Sequence, residues 1–115
     1  MITPLPVPHG HSTVNGYLFS RGNKKLVAYL SDCSAVPNEV SAQIDGVQIL
    51  IIDALRHKPH PTHLSVAQAL EVAGRVRPEE TYFTHICHDL GHAETSAQLP
   101  PGVELAYDGL VMEIT

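Results

Sequence analysis

The chain has 115 residues, 43% hydrophobic and 17% charged, with a net charge of −5, the composition of one globular domain and not of a disordered chain. At this length roughly two-thirds of the unfolded surface is buried on folding, enough for a core. The seven Lys and Arg residues form no basic block, so a nucleic-acid footprint built on phosphate neutralisation has no support, and the longest apolar run, Val47 to Leu55, falls far short of a membrane span.

In chain order, Ile2 to Pro8 alternates Pro with apolar residues, the pattern of an edge strand, because Pro donates no ladder hydrogen bond. It delivers His9 into a loop, His9-Gly10-His11-Ser12. Asn15-Gly16 reads as a turn that feeds a strand at Tyr17-Leu18-Phe19, and Arg21-Gly22-Asn23-Lys24 as a second turn. The next strand, Lys25 to Leu30, ends at Ser31-Asp32-Cys33. Pro37 suits a helix start, and Asn38 to Ile44 gives about two turns before Asp45-Gly46 stops it. Val47 to Ile52 is a near-continuous aliphatic strand ending at Asp53, as expected of a strand covered on both faces.

A proline-stiffened loop, Arg56 to His63, carries His57, His60 and His63. Ser65-Val66-Ala67-Gln68 is a capping box, and Val66, Ala69, Leu70, Ala73 and Val76 follow the helical period until Pro78. The run Thr81-Tyr82-Phe83-Thr84 is a strand that ends at His85-Ile86-Cys87-His88, followed by Gly91-His92. A short helix over Ala93 to Leu99 and a hairpin of Val103–Tyr107 with Leu110–Ile114, turning at Asp108-Gly109, complete the order. Cys33 and Cys87 are too few for a disulfide scaffold and read as buried thiols. The N-terminus has neither the cationic start nor the apolar core of a signal peptide, so a soluble cytoplasmic protein is expected.

Eight histidines are the compositional anomaly, and they gather with Asp32 and Asp53 at strand ends and adjoining loops. Neutral imidazole and carboxylate there suit zinc, manganese or iron. Each residue also has an ordinary alternative: Asp32 as a turn cap, His63 as a helix-entry residue, and Asp53 and Arg56 as partners in a plain salt bridge. His11, His57 and His60 read as surface loop residues. Beside a helix N-terminus, His63 is placed where a phosphate is favoured and a leaving oxygen can be protonated.

Pro8-His9-Gly10, Tyr29-Leu30-Ser31-Asp32, Asp53-Ala54-Leu55-Arg56, His60-Pro61-Thr62-His63-Leu64-Ser65, Thr84-His85-Ile86-Cys87-His88-Asp89-Leu90-Gly91-His92 and Ala106-Tyr107-Asp108-Gly109 occur in this order over essentially the whole chain. Together they resemble the metallo-β-lactamase superfamily, nearest its phosphonate-pathway cyclic phosphodiesterases and the tRNA 3′-processing endonucleases. The resemblance implies an α/β fold that is half of an αββα sandwich, a mixed sheet with one main helix and short helices. It implies that His9, Asp32 and His85 are metal ligands, with Asp32 bridging two ions, and that His63 is the phosphate-contacting acid. His88 and Asp53 would lie behind the ligands or at the substrate. Zinc, or manganese, is the implied metal, with incomplete occupancy expected.

The His-x-His-x-Asp-His motif of that superfamily is absent from this sequence. Residues 1–115 therefore read as a single domain equivalent to the C-terminal half of the fold. The expected function is a metal-dependent hydrolase of small phosphodiesters that needs a complementing N-terminal half. The alternative is a non-catalytic dimeric remnant that binds a metal or an anion. A half-sandwich leaves one sheet face apolar and uncovered, so a homodimer packed sheet to sheet, or pairing with a complementing half, is expected.

Overall fold

The computed structural model describes residues 1–56, 58, 60–84, 98–106, 110 and 112. Among the described residues, six strands form one mixed sheet in chain order: β1 (Ile2–His9), β2 (Ser12–Arg21), β3 (Lys24–Leu30), β4 (Ile49–Asp53), β5 (Glu80–Thr84) and β6 (Val103–Leu105). Two helices, α1 (Asn38–Ile44) and α2 (Val66–Val76), make the crossovers from β3 to β4 and from β4 to β5. β1, β2 and β3 pair antiparallel, and β3 through β6 pair parallel. β1 consequently runs in the same direction as β3, and the C-terminal ends of β1, β3, β4, β5 and β6 share one edge of the sheet.

β1 is an edge strand, and its register explains its three prolines. Pro4, Pro6 and Pro8 alternate with Leu5 and Val7 in the pairing to β2, so the missing N–H groups fall at alternate positions that face the open side. Leu5 and Val7 turn inward and are 0% and 1% exposed. Asn15-Gly16 makes no turn; both lie inside the continuous strand β2. Gly16 is required by tertiary crowding, since a Cβ there would stand 2.5 Å from Leu30 Cδ2 and 2.6 Å from the Tyr29 carbonyl oxygen. The turn at Gly22-Asn23 is present as the sequence indicates.

α1 starts after Pro37, whose carbonyl accepts the Ser41 N–H at 3.0 Å, and α2 opens on the capping box. Ser65 Oγ accepts the Gln68 N–H at 3.2 Å, and Gln68 Oε1 accepts the Ser65 N–H at 2.8 Å. Two orphan donors of the first turn are thereby satisfied. Val66, Ala69, Val72, Ala73 and Val76 of α2 and Val40 and Ile44 of α1 are buried. They join Leu5, Leu18, Ala28, Leu30, Leu50, Ile52, Phe83 and Leu105 in one hydrophobic core on a single face of the sheet.

The opposite face carries no helix among the described residues. Register places Pro4, Tyr17, Tyr29, Ile51 and Tyr82 in one row across it, and Ile2, Phe19, Val27 and Ile49 in the next. Ile49 and Tyr82 are buried by their neighbours, whereas Tyr17, Phe19 and Tyr29 remain 38–41% exposed. β4 starts at Ile49 and not at Val47, because the N–H of Val47 closes a turn onto Ile44. β6 pairs with β5 in parallel, while the hairpin expected at Asp108-Gly109 and most of the helix expected over 93–99 lie outside the described residues. No helix among them is long and apolar enough to cross a membrane.

Candidate functional site

Three of the five strands that end on the shared edge each present a polar side chain there. His9 is the last residue of β1, Asp32 lies two residues past β3, and Asp53 is the last residue of β4. The C-terminal edge of parallel strands is where open α/β sheets form ligand crevices. Ser34 ties two of these ends together: its N–H and Oγ–H donate to the Pro8 carbonyl at 2.8 and 3.2 Å, and its Oγ accepts the Gly10 N–H at 3.2 Å.

The segment from Ala54 to Ser65 brings in the other groups, and its base is pinned. The Leu55 N–H donates to the Leu64 carbonyl and the Val66 N–H to the Arg56 carbonyl, both at 3.0 Å, around a parallel bridge between Arg56 and Ser65. The Ala54 N–H donates to the carbonyl of Thr84, the end of β5, at 3.1 Å. His85 and His88 follow Thr84 and lie outside the described residues, as does His57.

Asp53 is 0% exposed. Its Oδ2 accepts the Cys33 backbone N–H at 3.2 Å and a hydrogen bond of 2.6 Å from His63 Nδ1. A buried carboxylate is tolerable only with such partners. Because a carboxylate accepts, the His63 proton sits on Nδ1, which directs Nε2 away from Asp53 as the nitrogen for chemistry. His9 is set in the same way: its Nδ1 is 2.8 Å from the Thr62 carbonyl, which only accepts, so Nε2 carries the lone pair. The two rings meet edge to face with centroids 5.0 Å apart.

Asp32, Asp53 and His63 each offer a ligand atom, all within 4.8 Å of one another. The set is carboxylate and imidazole, the donor chemistry of zinc and manganese, so these residues fit a divalent ion. In this arrangement the 2.6 Å bond to Asp53 engages His63 Nδ1. His60, read from the sequence as a surface loop histidine, is half-buried and stands 5.3 Å from the His63 ring. Its spacing of three from His63 is the signal that could have found it. Its pKa is lowered, first by desolvation and then by the Arg56 cation and the His63 and His9 rings, with Asp53 opposing. Cys33 is buried beside both carboxylates. Burial first, then the charges of Asp53 and Asp32, push its thiol pKa up to about 12, which keeps it protonated at neutral pH. His11 is exposed, as expected of a loop residue.

Residues 1–86 match the profile of the family described as the β-lactamase superfamily domain. The chain belongs to this superfamily. Its fold is the metallo-β-lactamase fold. It superposes on a crystal structure described as a new diphosphatase from the PhnP family with a TM-score of 0.88 and 44% identity, over 98% of this chain and 44% of that one. The short form of human tRNase Z aligns with a TM-score of 0.79 at 19% identity, over 99% of this chain and 42% of that one. In sequence, a protein named octanoyltransferase from Porphyromonas gingivalis is 30% identical over 111 residues, covering 95% of this chain and 22% of that protein. This superfamily chain thus spans less than half of the length of each of these three relatives.

Proposed function

We propose that the chain supplies one side of a metal-dependent hydrolase site for small phosphodiesters. The observation that carries the reading is the buried Asp53–His63 pair at 2.6 Å with Asp32 beside it, on a chain 44% identical to a diphosphatase of the PhnP family. In this reading His9 and Asp32, together with His85, hold zinc or manganese, and His88 lies behind them or at the substrate. A divalent ion supplies Lewis-acid stabilisation of charge developing on a phosphoryl oxygen. The protein's own contribution is positional and acid–base. Asp53 fixes the His63 ring through Nδ1, and in this reading Nε2 delivers a proton to the leaving oxygen. Asp53 therefore acts through His63, and His63 is the catalytic residue.

The sheet face that carries no helix among the described residues gives a second component. Tyr17, Phe19 and Tyr29 form an exposed aromatic patch of the kind that marks an interaction surface. We propose that a second copy of the chain, or a complementing N-terminal half, covers it. The absence of His-x-His-x-Asp-His from this sequence favours the alternative in which the isolated chain binds metal or anion without turnover.

The deciding assay is hydrolysis of bis-p-nitrophenyl phosphate by zinc-loaded protein, with His63→Ala as the control. Turnover that His63→Ala abolishes while zinc content is retained supports His63 as the acid. Zinc lost with His63→Ala makes it a ligand, and bound zinc without turnover supports the non-catalytic alternative.

A further inference from the structure

Thr62 sets the protonation of two imidazoles in opposite senses. Its carbonyl faces His9 Nδ1 at 2.8 Å, and its backbone N–H donates to His60 Nδ1 at 3.2 Å. Its Oγ1 also stands 3.2 Å from His60 Nδ1. The carbonyl requires a proton on His9 Nδ1 and leaves a lone pair on Nε2. The N–H requires a lone pair on His60 Nδ1, so neutral His60 carries its proton on Nε2. One nitrogen is shaped to ligate, the other to donate.

The backbone enforces this division closely. Gly10, next to His9, has φ +64°, and a Cβ there would stand 2.7 Å from Thr62 Cγ2. His9 and the His60–His63 segment are therefore packed as one unit, with His63 5.0 Å from the His9 ring and 5.3 Å from the His60 ring. No side-chain partner is taken by His60 Nε2 among the described residues. A donor beside an acid and its carboxylates, yet unable to ligate in this tautomer, is suited to an anionic oxygen of the substrate.

We propose that His60 is a substrate-positioning residue, its Nε2–H donating to a non-bridging phosphoryl oxygen, with Thr62 holding it in that tautomer. This assignment rests on the phosphodiesterase reading for its ligand class and on the Thr62 geometry for its sense.

The test uses the zinc-loaded 115-residue chain and inorganic phosphate as the probe. Binding is read by calorimetry, and the imidazole protonation sites by nitrogen-15 NMR of labelled histidine. His60→Ala is expected to weaken phosphate binding about 10- to 100-fold with zinc content unchanged, and His60→Gln, which restores an N–H donor, to recover part of that loss. NMR is expected to place the proton on Nε2 of His60 and on Nδ1 of His9. Zinc lost with His60→Ala, phosphate affinity unaltered by it, no phosphate binding by the wild-type chain, or a proton on His60 Nδ1 would each overturn the assignment. The hydrolase reading fails separately, when the wild-type chain binds no zinc.

Discussion

Replacing Asp53 tests the architecture of the site, because two different variants separate its shape from its charge. The bonds from Cys33 N–H and from His63 Nδ1 converge on the one oxygen Oδ2. Asp53→Asn can present a carbonyl oxygen at that point and keep both bonds in neutral form, at roughly half the strength of the charge-assisted ones. The expected cost is about 1–2 kcal/mol. Asp53→Ala leaves the buried Cys33 N–H and the partly buried His63 Nδ1 without an acceptor at a residue that is 0% exposed, and the expected cost is about 3–5 kcal/mol. With a urea m-value of about 1–3 kcal/mol per molar, the two variants should differ clearly in unfolding midpoint. Zinc should be retained by Asp53→Asn, while its turnover of bis-p-nitrophenyl phosphate falls by up to the roughly 10²–10⁴-fold contribution of a positioned general acid. Equal midpoints for the two variants, or wild-type turnover in both, would refute the argument that Asp53 organises the site through His63.

Gly10→Ala should destabilise by about 2–3 kcal/mol, since it adds the Thr62 contact to the cost of a positive φ, whereas Gly22→Ala, with φ +58° and no atom near its Cβ, should lose only about 1–2 kcal/mol; thermal unfolding distinguishes them. Cys33 should resist iodoacetamide in folded protein at pH 8, as read by peptide mapping. Its raised pKa also has a linkage consequence: the thiol's contribution to stability is present below its ordinary pKa of 9.0 and is lost as pH rises from there towards about 12. Sedimentation at micromolar concentration should show self-association that Tyr17→Lys with Tyr29→Lys abolishes; a clean wild-type monomer would remove the second-copy proposal and leave only a complementing half to cover the aromatic face.

What the sequence made legible was local. α1 is bounded by Pro37 and Gly46 as the residues indicate, and the Ser65–Gln68 box marks the start of α2 because both of its bonds lie within four residues. Proline alternation identified β1 as an edge. Asn15-Gly16 misled because its glycine answers to Leu30 and Tyr29, which no local turn preference records. The parallel pairing of β6 with β5 is likewise a tertiary fact. At the site, His9, Asp32 and Asp53 were visible as strand ends, but the 2.6 Å pairing of Asp53 with His63 depends on the closure of an intervening loop. His60 read as a surface histidine, its spacing of three from His63 being the only hint, and its contact with the Thr62 N–H appears only in the folded loop.

The central claim is that the ends of β1, β3 and β4 assemble a divalent-metal site. Elemental mass spectrometry of tag-free protein purified without chelator and incubated with zinc measures this directly. The account predicts zinc retained through gel filtration in near-stoichiometric amount, and lost from Asp32→Ala and His9→Ala while their far-UV spectra remain native. Negligible zinc in the wild-type chain, or zinc retained in both variants, would contradict it.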